Sequence, residues 1–108
     1  MTTAEVESSA DDGSIRICLS GEIDLANAAT VEDQIHASLT RQPSAVSVDL
    51  AGLTYLDSAG IRVLYALASR LQARRIVLEL LVPLDAPTRR LIELSGFDSI
   101  AALRPTRS

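Results

Sequence analysis

A serine and an aspartate lie between a strand-like run and a helix-like run, and they are the residues of this chain best placed for chemistry. Val46–Leu50 is apolar at every second position, and a helical pattern begins at Ile61, with Asp57 and Ser58 between them. The first N–H groups of a helix lack intrahelical acceptors and carry partial positive charge. A hydroxyl at that point can cap the helix, and a phosphate on the hydroxyl would also be accommodated. Ser58 is therefore either a plain N-cap or a switch.

Enzymatic catalysis and metal binding lack the residues that they need. His36 is the only histidine and Cys18 the only cysteine, so neither a histidine-based triad nor a cysteine metal site can be assembled. With Asp57 as a base and Ser58 as a nucleophile, catalysis would still need an orienting group and an oxyanion site. We therefore expect no enzymatic activity, no cofactor and no metal, and we interpret His36 as a solvated helix residue.

Composition predicts one soluble domain over residues 1–108, with 47% apolar and 22% charged residues. The net charge of −4 argues against a broad nucleic-acid-binding surface. No apolar run approaches the roughly 18 residues that a membrane-spanning helix needs. The single cysteine lies in a strand pattern and favours a reducing compartment. We expect a cytoplasmic protein that neither inserts into a membrane nor binds nucleic acid directly.

Strand and helix patterns alternate along the chain in the order β-β-α-β-α-β-α. A hairpin turn at Asp12-Gly13 joins the first two strands. The predicted elements are strands at about 2–7 and 15–19, a helix from 24 to about 41, a strand at 46–50, a helix from 58 to about 73, a strand at 76–82, a helix with Pro87 in its first turn, and a short closing segment at 100–103. Strands that alternate with helices require crossover connections and a largely parallel sheet. The expected fold is α/β, with helices packed on a mixed, mostly parallel sheet that carries an N-terminal antiparallel hairpin.

Apolar residues outside the strands are expected to anchor the elements. Leu53, Tyr55 and Leu56 are predicted to be buried anchors, Leu91 and Leu94 are predicted to face inward, and Leu25 lies at helical spacing in the first helix. Gly96 followed by Phe97 is typical of a glycine helix C-cap with its apolar partner.

Four segments follow one another at characteristic distances: Gly21–Asp24, Val48–Gly60, Pro83–Arg90 and Leu91–Phe97. Together, over about residues 15–100, they resemble the STAS domain family, specifically the anti-sigma factor antagonists of bacteria. The Asp-Ser-Ala-Gly tetrad alone is a weak signal, because short motifs recur by chance. The chain departs from the family at 73–75, where Ala-Arg-Arg stands in place of a frequent glycine.

The resemblance implies a binding switch. In this family the unphosphorylated antagonist binds an anti-sigma factor that is also a serine kinase, and so frees a sigma factor for a stress response. Phosphorylation ends that binding, and a serine phosphatase restores it. Ser58 matches the phosphorylated serine, and the implied partner-binding residues are Asp24, Asp57, Ser58, Ala59 and Gly60. The resemblance also allows a homodimer.

A structural role stands beside each functional one. Ser58 can be an N-cap, Asp57 a loop acid that bonds backbone amides, and Asp24 a helix cap. Gly60 can serve close packing as well as the approach of a partner. Thr54 is either a second phosphorylation site or a turn hydroxyl.

Two other functions remain open. One is a STAS-type accessory subunit of a lipid or anion transport system. The other is a small-ligand or nucleotide sensor, although the sequence has no phosphate-binding glycine loop.

Overall fold

The computed structural model of the chain describes residues 3–39 and 42–105. The strands are β1 (Ala4–Asp11), β2 (Ser14–Ile23), β3 (Ala45–Leu56), β4 (Val77–Leu81) and β5 (Ala102–Arg104). The helices are α1 (Ala28–Ser38), α2 (Ser58–Ala73) and α3 (Arg89–Leu94), and a single 3₁₀ turn, Phe97–Ser99, precedes β5.

The five strands form one sheet in the order β1-β2-β3-β4-β5. β1 runs antiparallel to β2, and every other neighbouring pair is parallel. Asp12 and Gly13 both have positive φ, 54° and 86°, as the tight turn between β1 and β2 requires. The prediction of a mixed, mostly parallel sheet with an N-terminal hairpin is confirmed. β1 starts at Ala4, and Thr2, where the predicted first strand began, lies outside the described residues.

Alternation along the strands separates an apolar face of the sheet from a polar one. In β2, Ile15, Ile17 and Leu19 are buried in the core beneath the helices. On the opposite face Arg16 donates to the Asp49 carboxylate of β3 over 2.6 Å, and this hydrogen bond raises the pKa of Arg16. The helices therefore cover one side of the sheet.

Three residues predicted to be buried are exposed: Tyr55 is 49% exposed, Leu91 37% and Leu94 71%. Leu25, which belongs to the apolar pattern of the predicted first helix, is 80% exposed. Leu25 lies in a turn, because α1 begins three residues after it, and the predicted end of this helix at Arg41 lies outside the described residues. Tyr55 is exposed because β3 continues to Leu56, past an irregularity in its pairing with β2, and turns Tyr55 outward.

α3 has only six residues, so only one of its sides can pack against the core. Its fully buried residue is Ile92, whereas Leu91 and Leu94 face outward, so the prediction that those two leucines face inward is wrong. Gly96 has φ 77° and the following Phe97 is buried, which confirms the predicted glycine C-cap.

α2 ends in the hydrogen-bond pattern that normally selects glycine. The Ile76 N–H donates to the Leu71 carbonyl over 2.9 Å, and the Arg75 N–H donates to the Gln72 carbonyl over 3.0 Å. These are the two bonds of a Schellman motif, in which the residue in the position of Arg75 is left-handed. Arg75 has φ 59°. The arginine thus adopts the left-handed conformation that glycine adopts most readily.

Candidate functional site

Ser58 is the first residue of α2, as predicted, but it does not cap the helix. The N-cap is Asp57, whose Oδ1 accepts from the Ala59 N–H over 2.9 Å and from the Gly60 N–H over 3.3 Å. An N-cap side chain bonds the second and third helical N–H groups, and only Asp57 has that spacing. The N-cap interpretation of Ser58 is therefore wrong, and the interpretation of Asp57 as an acid that bonds backbone amides is confirmed.

The Ser58 side chain is exposed and makes no hydrogen bond to any residue in the described ranges. Since Asp57 satisfies the helix start, the serine hydroxyl is left for other chemistry. A reactive group could approach it from solvent without breaking a structural contact.

Gly60 lets α2 start close against the sheet. A Cβ at this position would lie 2.2 Å from Leu56 Cδ1 and 3.2 Å from Ile23 Cγ2. Leu56 and Ile23 are the last residues of β3 and β2. The missing side chain of Gly60 therefore lets the helix turn that contains Ser58 pack directly against the ends of these two strands. Close packing thus accounts for Gly60, and Ala59 beside it is also buried.

Asp24 closes a turn before α1. Its Oδ1 accepts from the Ala26 N–H over 2.8 Å, which makes an Asx turn. The N-cap position of α1 is occupied by Asn27, so the interpretation of Asp24 as a helix cap is wrong. Asn27 instead accepts from the Asp24 N–H over 3.0 Å and donates to the Glu22 carbonyl over 2.9 Å. This asparagine organises the Asp24 loop, and the turn preference of asparagine was the signal in the sequence that could have found it.

Thr54 lies in β3 and not in a turn. Its hydroxyl donates to the Gly21 carbonyl of β2 over 3.2 Å. At Gly21, φ is 91° and a Cβ would lie 2.4 Å from the Thr3 carbonyl oxygen. The Thr54 hydroxyl therefore ties two strands together just below the site.

The loops of Asp24 and Ser58 lie at the same edge of the sheet. Ile23 and Leu56 are register partners in parallel strands, and Asp24 and Asp57 follow them directly. The exposed Leu25 and Tyr55 lie in or next to these loops. Sequence reasoning missed these two as surface residues, because an apolar pattern alone does not distinguish an anchor from an exposed contact.

The part of the chain that the structure describes shows no group of three or more His, Cys, Asp or Glu side chains arranged to hold a metal ion. In the same ranges, no helix is both long and apolar enough to cross a membrane.

Comparison with known proteins agrees with this arrangement. A family model described as "Mlab, STAS domain" matches residues 6–105. BtrV of Bordetella bronchiseptica, named provisionally as an anti-sigma factor antagonist, is 36% identical over 89% of this chain and 82% of its own. RsfB of Mycobacterium tuberculosis, named an anti-sigma-F factor antagonist, is 32% identical over 83% of this chain and 72% of its own.

Solved structures share the fold. An anti-sigma factor antagonist from Mycobacterium paratuberculosis has a TM-score of 0.84 at 31% identity, and the match covers 96% of this chain and 87% of that one. SpoIIAA in its unphosphorylated form has a TM-score of 0.72 at 18% identity, over 92% of this chain and 87% of its own. The phosphorylated form of SpoIIAA has a TM-score of 0.64 at 17% identity, and the match covers 94% of this chain and 90% of that one.

A solved anion transporter contains the same fold in about a fifth of its chain. The murine anion transporter Slc26a9 has a TM-score of 0.76 at 15% identity, over 99% of this chain and 21% of the transporter. At this identity, as for SpoIIAA, the likeness concerns the fold alone. The family model and the relatives above 30% identity go further: the chain belongs to the STAS domain family, alongside bacterial anti-sigma factor antagonists.

Proposed function

We propose that this protein is an anti-sigma factor antagonist that binds an anti-sigma factor while Ser58 is unmodified and is switched off by phosphorylation of Ser58. The observation that carries the proposal is the exposed, uncommitted Ser58 hydroxyl at the first position of α2, behind a cap supplied by Asp57. The names of RsfB and BtrV support the class of partner.

The proposed partner surface is the sheet edge where the loops after β2 and β3 meet. Asp24 and Asp57 supply acidic groups, and Ser58 supplies the exposed hydroxyl between partner and helix. Ala59 and Gly60 act from beneath, because they are buried and hold the serine turn in place. Such a surface suits a partner with donors for the acids and apolar area around them.

Phosphorylation would act on binding more than on folding. A phosphoserine adds about 1.5–2 negative charges. The helix start tolerates negative charge, so the domain should stay folded. The same charge brought unpaired into an interface, beside Asp57, is strongly unfavourable. SpoIIAA, which shares this fold, has been solved in both its unphosphorylated and phosphorylated forms.

The remaining parts of the proposal follow from the family. The anti-sigma factor would itself be the serine kinase, a serine phosphatase would reset the switch, and the whole cycle would take place in the cytoplasm, without a cofactor and without enzymatic activity of this chain. Residues 1–108 would act as one domain.

A kinase assay tests the proposal. The purified anti-sigma factor and ATP are added to wild type, Ser58→Ala and Ser69→Ala, and intact mass is measured. Ser69 is a matched control, because it is exposed on the same helix away from the site. We expect one phosphate on wild type and on Ser69→Ala, and none on Ser58→Ala. An unchanged mass for wild type, or a phosphate retained by Ser58→Ala, would refute phosphorylation at Ser58.

A role as accessory subunit of a transport system is the second candidate. The presence of this fold within an anion transporter favours this candidate. That likeness concerns the fold alone. This candidate would move ahead if neither phosphorylation nor binding to an anti-sigma factor were observed.

A further inference from the structure

We propose that Arg62 is the residue that holds the phosphate of phosphorylated Ser58, in an ion pair that spans one turn of α2 and forms only in the modified protein. The inference rests on the proposed function, since it needs a phosphate at Ser58. It goes beyond that function by naming a residue of this chain that binds the modified side chain.

Arg62 lies near the N-terminal end of α2, one turn after Ser58. A helix N-terminus bears partial positive charge, so cations are disfavoured there and anions favoured. The first turn of α2 contains no acidic residue. Arg70, in contrast, lies in the last turn, where a cation is favourable. The first turn thus offers Arg62 no acidic partner, and an anion at Ser58 would supply one.

The Arg62 guanidinium also has no partner among the described residues. Within the same ranges, three other arginines form ion pairs, with Asp49, Glu93 and Glu79 as the acids. Arg62 forms no hydrogen bond or ion pair through its side chain with any residue in 3–39 and 42–105, and its side chain is exposed. It is free to pair with a new anion without breaking an existing contact.

The geometry of the helix directs Arg62 toward Ser58. Residues four apart on a helix have Cβ atoms about 5–6 Å from each other. Each Cα–Cβ bond tilts toward the helix N-terminus, so the Arg62 side chain covers the turn that Ser58 begins. An anion that precedes a cation by four residues is also the more favourable order of such a pair.

The backbone of the helix start leaves the phosphate short of other donors. The N–H groups of Ala59 and Gly60 are already bonded to the Asp57 carboxylate. The Asp57 N–H is bonded to the Ile23 carbonyl over 3.3 Å. A phosphate on Ser58 would therefore face the negative charge of Asp57 with few free amides, and a bidentate arginine is the donor that its geometry suits.

The test installs phosphoserine at position 58 during translation, so no kinase is needed. The second pKa of the phosphate is then measured by phosphorus NMR at low ionic strength in otherwise wild-type protein, in Arg62→Gln and in Arg70→Gln. An ion pair stabilises the dianion, so we expect the pKa in Arg62→Gln to be higher than in wild type by about 0.3 unit, and Arg70→Gln to match wild type.

Equal phosphate pKa values in wild type and Arg62→Gln would overturn the inference. A rise of the same size in Arg70→Gln would also overturn it, because the effect would then reflect net charge alone. Melting curves of the three phosphorylated proteins and their serine forms provide a second readout, in which the effect of the phosphate on the melting temperature should be less favourable in Arg62→Gln than in wild type or Arg70→Gln. Because the phosphate is installed without a kinase, these outcomes are independent of whether the cell modifies Ser58.

Discussion

At the scale of single residues, Asp57 determines what Ser58 is free to do. The Asp57 carboxylate bonds two helix N–H groups, and this leaves the neighbouring hydroxyl exposed and unbonded to the described residues. A serine in the cap itself would lose a structural contact on modification. Because Asp57 makes the cap hydrogen bonds and Ser58 makes none, Ser58 can be modified with little loss of stability.

The cap predicts a difference between two substitutions at Asp57. Asp57→Ala removes the acceptor for two N–H groups and should lower the free energy of unfolding by about 1 kcal/mol, whereas Asp57→Asn keeps an amide oxygen in the cap and should lose only a few tenths of that. Urea unfolding measures both. Equal losses would show that the carboxylate does not stabilise α2 through its cap.

The packing at Gly60 predicts a second effect. Gly60→Ala gains helix propensity of about 1 kcal/mol, but its methyl group would overlap the buried Leu56 side chain. Overpacking typically costs about 1–3 kcal/mol, so a net loss of stability is expected. The Leu56→Val background should recover part of the loss, because it shortens the overlapping side chain. Additive effects in the double mutant would contradict the contact.

At the scale of elements, α2 was the most predictable part of the chain and the ends of α1 and α3 the least. A long apolar stripe predicted a helix over Ser58–Ala73, which the structure confirms, although Asp57 and not Ser58 caps it. The start of α1 was displaced because Asn27 and Asp24 form a turn with each other, and this chemistry is hidden in a helical pattern. In α3, six residues are too few for periodicity to identify the buried side.

The end of α2 predicts a stabilising substitution. Arg75 adopts φ 59°, a conformation that costs a non-glycine residue about 1 kcal/mol or more. Arg75→Gly should therefore raise the free energy of unfolding by roughly 0.5 kcal/mol, after the greater entropy of glycine in the unfolded chain is subtracted. Arg74→Gly is the control, because Arg74 has φ −97° and gains nothing from glycine. If chemical denaturation showed that Arg75→Gly lowers the free energy of unfolding, the backbone of Arg75 would not be strained.

The start of α3 predicts a tolerated loss of a hydroxyl. Thr88 is buried, and its Oγ1 has no hydrogen-bond partner among the described residues. Thr88→Val replaces that hydroxyl with a methyl group of similar shape, so the protein should be at least as stable. A loss above about 1 kcal/mol in thermal unfolding would show that the hydroxyl is bonded in solution.

At the scale of the whole molecule, three crossover connections bring their first loops to one edge of the sheet. Leu25, Tyr55 and Leu84 lie at or just after the ends of β2, β3 and β4, and Leu25 and Leu84 are 80% and 73% exposed. The topology, and with it the position of Ser58, followed from the alternation of strands and helices in the sequence. The sequence did not predict which apolar residues face the solvent, because their burial depends on how far each strand continues before its loop.

Binding to the anti-sigma factor tests the central claim most directly. Calorimetry compares wild type, Ser58→Ala, Ser58→Asp and Ser69→Asp, with melting curves of the same samples to separate folding from recognition. The account predicts that wild type, Ser58→Ala and Ser69→Asp bind alike, and that Ser58→Asp folds but binds at least tenfold more weakly, which corresponds to about 1.4 kcal/mol. Binding of Ser58→Asp as tight as that of wild type would contradict a switch at Ser58.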